Sequence, residues 1–321
     1  MSEQKAFDTV IETVGTELAG PWRLPRNMLA AQSYDDHASI HDDETARKLG
    51  FKGGTVEGPT HFSQFAPLGY AIWGRRWLEQ SCISAHYRAV CYDGEKVRAF
   101  MAKPAPGAAI AEIRMEKEDG TEVLRGTASI GPQHPRTALD ERLAGIKPPT
   151  RLVVLSEVKI GARSARETVR MAADQHMGHL YPFSLSEKLA KITEPSPWYA
   201  APGGNASPYG RAIIPMEMIS VLVNASSKHD EFFSKGPVVG LFADQEIRLI
   251  DGPLFVNEPY EIEREVVGLS ESRRTESRWV LARIYRPGSA KVIATMLLNG
   301  ALMKDSYASY EQEYRQLYGD R

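Results

Sequence analysis

The chain has 321 residues, 42% hydrophobic and 25% charged, which suits one large hydrophobic core or two ordinary ones and excludes a disordered polymer. A formal net charge of -2 argues against nucleic acid or any partner held by bulk charge. Two cysteines, Cys82 and Cys91, supply neither a disulfide framework nor a zinc ligand set, and no apolar run reaches the ~18 residues a membrane span needs, so no membrane partner is expected.

The opening residues, MSEQKAFDTVIETVG, carry no charged-then-apolar leader, so a cytoplasmic protein with buried, reduced thiols is expected. Next comes SYDDHASIHDDETARKLGFKGGTVEGPTHF, residues Ser33 to Phe62, which crowds acids and histidines ahead of a Gly-Gly turn and a Gly-Pro helix entry. A solvated acidic loop, a metal site and an acid–base pair compete to explain it. Asp42, Asp43 and Glu44 open DDETARKL as acids do at a helix N-terminus, without the spacing of a calcium loop, so no metal is expected. Apolar residues at Phe62, Phe65, Leu68, Ile72, Trp73 and Trp77 predict a helix entered through Gly58-Pro59 and kinked at Pro67. Strand-like stretches CISAHYRAVCY, GEKVRAFMAK and AIAEIRMEKEDGTEVLRGTASIG follow, the last folded at Asp119-Gly120.

The second half repeats this order. SPYGRAIIPMEMISVLVNAS predicts a helix with a stripe at Met216, Ile219, Leu222 and Val223, and three strand-like runs follow, with Pro287-Gly288 where Asp119-Gly120 stood. A helix followed by antiparallel strands, done twice, predicts an α+β architecture. PQHPRTALDERLAGIKPPTRL, with prolines at 132, 135, 148 and 149, reads as a linker. The expected division is residues 1–145, 146–304 and a C-terminal tail at 305–321.

A long helix wrapped by a curved antiparallel sheet, present twice, resembles the double hotdog fold. Within it, Asp36, His41, Ala46, Gly50-Phe51 and Gly58 resemble the hydratase motif of MaoC-like (R)-specific enoyl-CoA hydratases and acyl dehydratases. The resemblance covers roughly residues 10–131 and, more weakly, 175–303. It implies that Asp36 and His41 form a catalytic pair, that Phe51, Gly54, Gly58, Thr60 and His61 lie along a substrate, and that no cofactor is needed. The partner it implies is a small acyl thioester, CoA-linked; two halves would pack side by side with a ligand tunnel between them, and a homodimer is compatible with the sequence. The chain departs from the motif at Ala38-Ser39, where the family has Asn-Pro.

The Asp-x4-His spacing carries little alone, since Asp174 and His179 repeat it without the Gly-aromatic turn and helix entry. In the second half Glu194, Tyr199 and Tyr209 lie 158 positions after Asp36, His41 and Phe51, so the pair is replaced there and one site per chain is expected. Adding water to an enoyl thioester needs a base for the water, an acid for the α-carbon and donors for the enolate oxygen. An imidazole and a carboxylate meet the first two needs. Gly58 at a helix start offers an amide for the oxygen, or merely lets the chain turn. His61, in the first helical turn, faces the ligand or packs. The reading is a hydro-lyase acting at C2–C3 of an enoyl or 3-hydroxyacyl thioester. Its rivals are a hotdog thioesterase, told apart by released thiol, and a non-catalytic acyl-binding or complex-forming subunit, told apart by binding without turnover.

Overall fold

The computed structural model describes residues 5–34, 37–199, 207–227, 230, 232 and 234–319. Alternating sequence becomes strand because every second side chain can be buried on one face. In chain order the strands are β1 (Glu12–Val14), β2 (Glu17–Ala19), β3 (Ser33–Tyr34), β4 (His37–Ala38), β5 (Ser81–Tyr87), β6 (Val97–Ala102), β7 (Ile110–Lys117) and β8 (Glu122–Ile130). β9 (Glu167–Arg170), β10 (Gly240–Leu249), β11 (Pro259–Glu271), β12 (Thr275–Tyr285) and β13 (Val292–Met303) complete them. The α-helices are α1 (Asp43–Lys48), α2 (Ala66–Trp73), α3 (Arg75–Gln80), α4 (Ala138–Ala144), α5 (Leu185–Leu189), α6 (Met216–Asn224) and α7 (Tyr310–Tyr318).

Among the described residues eleven strands form one antiparallel sheet in the order β1-β2-β6-β7-β8-β5-β10-β13-β12-β11-β9, and β3 pairs with β4 apart from it. The α+β expectation therefore holds. Both sequence-read hairpins are present, with Gly120 at φ 80° between β7 and β8 and Gly288 at φ 71° between β12 and β13.

The two runs of strands meet where β5 pairs with β10, in a register that sets His86 opposite Asp244. These two residues are 158 positions apart, as are Gly58 and Met216, the first residues of the two central helical segments. Repeated positions thus face each other at the seam. His86 Nδ1–H donates to the fully buried Asp244 at 2.8 Å, joined by Arg142 Nε at 2.6 Å and Asn299 Nδ2 at 2.7 Å. Burial alone would raise the Asp244 pKa, but these partners hold it below the usual carboxylate range.

The first central helix differs from a single kinked rod. Residues Gly58–Phe65 form a 3₁₀ segment, α2 starts at Ala66, and Gly74 at φ 60° separates α2 from α3. Pro67 has no N–H to donate back to Ser63, whose carbonyl takes the Ala66 N–H instead, so the tighter coil ends there. Phe62, Phe65 and Leu68 from this segment share one buried core with Ile83, Met101 and Met115 of the first-half strands and with Met218, Ile219 and Leu222 of α6.

The proline-rich stretch read as a linker contains α4. Thr137 and Asp140 form a reciprocal capping box, and Leu139 is fully buried against Trp279 and Leu297. In the C-terminal tail, Tyr310 and Tyr314 of α7 pack on Val153 and Val154. Cys82 and Cys91 are both free and buried. Among the described residues no helix is long and apolar enough to cross a membrane.

Candidate functional site

A cavity of about 490 Å³ opens between the loop before the central helix and the second-half sheet. Its first wall is built by the acidic segment. Asp42 caps α1 by accepting the Thr45 N–H at 2.8 Å, while Asp43 accepts the Gly54 N–H at 2.8 Å and pairs with Arg47 at 2.8 Å. These acids hold a helix start and the Gly-Gly turn. Among the described residues no group of three or more His, Cys, Asp or Glu side chains could hold a metal ion.

That scaffold fixes His41. Asn27 Nδ2 donates to its carbonyl at 2.8 Å, and Gly54 lies so close that a Cβ there would sit 2.1 Å from the same oxygen. The ring's Nδ1–H donates to the Thr55 carbonyl at 2.6 Å. A carbonyl only accepts, so the proton sits on Nδ1 and the neutral ring leaves a lone pair on Nε2. Nε2 has no partner among the described residues, and His41 lines the cavity. Burial pushes its pKa down to about 4, with the Lys188 charge adding to the effect. Asp36, the other member of the expected pair, lies outside the described residues.

Phe51, Gly58 and His61 also line the cavity; Gly54 and Thr60 are not among its lining residues. Gly54 does its work on the His41 backbone. Thr60 accepts from Lys188 Nζ at 2.8 Å. At Gly58 a Cβ would fall 2.5 Å from Tyr87 Cζ, so only glycine lets the Tyr87 ring lie against the helix start. Tyr87 Oη is fixed in turn, donating to Gln245 Oε1 at 2.9 Å across the seam. The Gly58 N–H has no acceptor among the described residues. His61 is buried with Nδ1 unpartnered, and desolvation takes its pKa down to about 3.

Sequence reasoning missed a carboxyl here. Glu57 precedes the 3₁₀ segment, lines the cavity and is 6% exposed. Burial raises its pKa to about 7 against the opposing pull of Lys188, and it shares a hydrogen bond with Tyr181. The available signal was the alternation that places residues 55 and 57 on one side of an extended segment. Behind this wall Lys188, on α5, bridges Thr60 and Glu217 (3.5 Å), and Ser63 Oγ donates to Glu217 at 2.5 Å. Glu217 is fully desolvated, which raises its pKa.

The second-half counterparts take other work. Glu194 is buried and bound by Arg23 at 2.7 and 3.0 Å and by the Thr9 hydroxyl, and Tyr199 packs in the core. Asp174, of the repeated Asp-x4-His spacing, accepts the Ser186 hydroxyl at 2.6 Å, and neither it nor His179 lines the cavity.

The arrangement brings together a neutral imidazole and a helix-start amide, both without a partner among the described residues at Nε2 and N–H, and a buried carboxyl, beside an apolar chamber that includes Val280, Met296 and Leu298. Among solved structures the chain is similar to a protein of Chloroflexus aurantiacus described as a MaoC domain protein dehydratase, with 12% identity, 94% of this chain and 95% of that chain covered, and a TM-score of 0.52. It is equally similar to a Mycobacterium tuberculosis protein essential for bacterial survival during infection, with 10% identity, 94% and 97% covered, and a TM-score of 0.53. The latter is described as a double hotdog. The chain is thus a double hotdog protein, as its sequence led us to expect. No protein-family sequence model matches it, and no curated protein matches it by sequence.

Proposed function

We propose that the protein is a hydro-lyase that adds or removes water across C2–C3 of an enoyl or 3-hydroxyacyl thioester. The observation that carries this reading is His41: its tautomer is set by the Thr55 carbonyl, and its ring lines an apolar cavity at the head of the central helix. In the hydration direction, Nε2 takes a proton from water while the water oxygen bonds to C3. The electron pair of the double bond moves toward the thioester carbonyl. The Gly58 N–H meets the charge on that oxygen, and the proton taken from water passes from the Asp36–His41 pair to C2, which completes the addition and restores the neutral imidazole. A pair acting on one face of the substrate delivers both fragments to the same side. The Gly58 amide, without an acceptor among the described residues, supports the oxygen-binding role, which typically accounts for ~2.7–4 kcal/mol of barrier.

The assay is loss of enoyl absorbance with crotonyl-CoA and longer enoyl-CoAs. Asp36→Asn and His41→Ala should each slow turnover by about 10²–10⁴-fold. Full activity in both variants removes the mechanism. One observation favours a second reading: Glu57, a carboxyl titrating near neutrality at the helix entry, is suited to activate water against the thioester carbonyl itself. Thiol release without loss of the double bond, abolished in Glu57→Gln, would select that thioesterase reaction.

A further inference from the structure

The cavity wall also carries arginines where the strand pattern calls for apolar side chains. On β11 the inward positions are Tyr260, Ile262, Arg264 and Val266, and on β12 Arg278 keeps the phase of Val280 and Ala282. Both arginines line the cavity. Arg264 is 2% exposed; it donates to Asp230 at 2.9 Å, to Ser226 Oγ at 2.7 Å and to the Val223 carbonyl near the end of α6, and its Nε is unpartnered. Arg278 donates to the Phe232 carbonyl at 2.8 Å and makes no ion pair among the described residues. Its register partner is Gly300, where a Cβ would meet nothing closer than 3.9 Å, so the space beside the guanidinium is not filled by the neighbouring strand.

Both guanidiniums line the wall of a partly desolvated chamber, and Asp230 pairs with Arg264. Arg278 has no carboxylate within ion-pair distance among the described residues, and an entering anion would supply one in a place where an unpaired charge is costly. Burial lowers the Arg278 pKa despite the pull of Asp230. We propose that this arginine-bearing wall of the cavity binds a carboxylate at the tip of the acyl chain, so that the ligand is a carboxyl-tipped acyl thioester. This inference rests on the thioester reading above for the identity of the other end. The planar guanidinium suits a carboxylate through paired N–H bonds, whereas a methyl tip would leave Arg278 without a carboxylate partner among the described residues.

The test is equilibrium binding, by titration calorimetry, of saturated acyl-CoAs, each compared with its ω-carboxyl counterpart of equal length. Wild-type protein should prefer the carboxyl tip by roughly 10- to 100-fold at the best length, the range of a charge-assisted hydrogen bond. Arg278→Met should abolish the preference, and Arg278→Lys should retain part of it. Equal binding of both tips by the wild type, which requires no variant, would overturn the proposal; so would a preference that survives in Arg278→Met. Repeating the comparison with phosphate-free N-acetylcysteamine thioesters separates the tip from the carrier. A preference kept there supports the proposal, and one that vanishes overturns it, because a tip read by Arg278 does not depend on the carrier. Saturated ligands cannot be hydrated. Tip preference without any hydration activity would therefore sink the lyase reading and leave this subsite standing.

Discussion

Glu57→Gln isolates a buried charge. In the folded chain Glu57 keeps its proton up to about 7 instead of an ordinary 4.5, chiefly because burial disfavours the carboxylate, with Lys188 opposing and Glu217 adding to the rise. Between those two values the folded state binds more protons than the unfolded one, so this group's contribution is complete below pH 4.5 and lost as pH rises through 7. A difference of that size corresponds to ~3 kcal/mol. His41 and His61 run the other way. Their folded values, about 4 and about 3, lie below the ordinary 6.5, so their contribution is present above 6.5 and lost as the medium is acidified. Stability should therefore fall on both sides of an intermediate pH. Glu57→Gln preserves an acceptor for Tyr181 but cannot ionise, so it removes the alkaline slope alone. Urea unfolding of both proteins across a pH series should show the variant gaining about 3 kcal/mol on the wild type between acid and mildly alkaline pH. A gap that stays constant over that range would refute the argument that this carboxyl is desolvated.

Other consequences are equally direct. If His41 is the base, the acidic limb of kcat/KM should fall near pH 4, where the buried ring protonates, and a limb near 6.5 would show an imidazole open to solvent. Gly58→Ala drives a methyl into the Tyr87 ring and should cost about 1–3 kcal/mol in thermal or chemical unfolding, with the loss reduced in a Tyr87→Ala background. Lys188→Met strands the buried Glu217 and should destabilise by about 3–5 kcal/mol, partly recovered by adding Glu217→Gln. Leu139→Ala empties the pocket under α4 and should cost about 2–5 kcal/mol; a negligible change in unfolding midpoint would mean that the stretch is a loose tether after all.

Much of the fold was legible because local rules and burial agreed. Alternation marked the long strands, Asp119-Gly120 and Pro287-Gly288 marked the hairpins, and the 158-residue repeat that shifts Gly58 onto Met216 also sets His86 opposite Asp244. The helix α4 inside the stretch read as a linker was not anticipated, because the prolines at its flanks set that reading, while the capping box and the burial of Leu139 mark a docked helix. Asp36 lies outside the described residues, so its pairing with His41 is left to the activity assays.

The sequence by itself determined the long strands and their hairpins, the repeat and the placement of His41 and Gly58 ahead of the central helix, because each depends on periodicity or on neighbours close in the chain. Tertiary structure decided the charges. Glu57 became a near-neutral acid through loss of water, Lys188 crossed from the second half to Thr60, and Arg264 and Arg278 turned inward onto the cavity. Desolvation and Coulomb interaction depend on distances between residues far apart in the chain, and a linear string does not contain those distances.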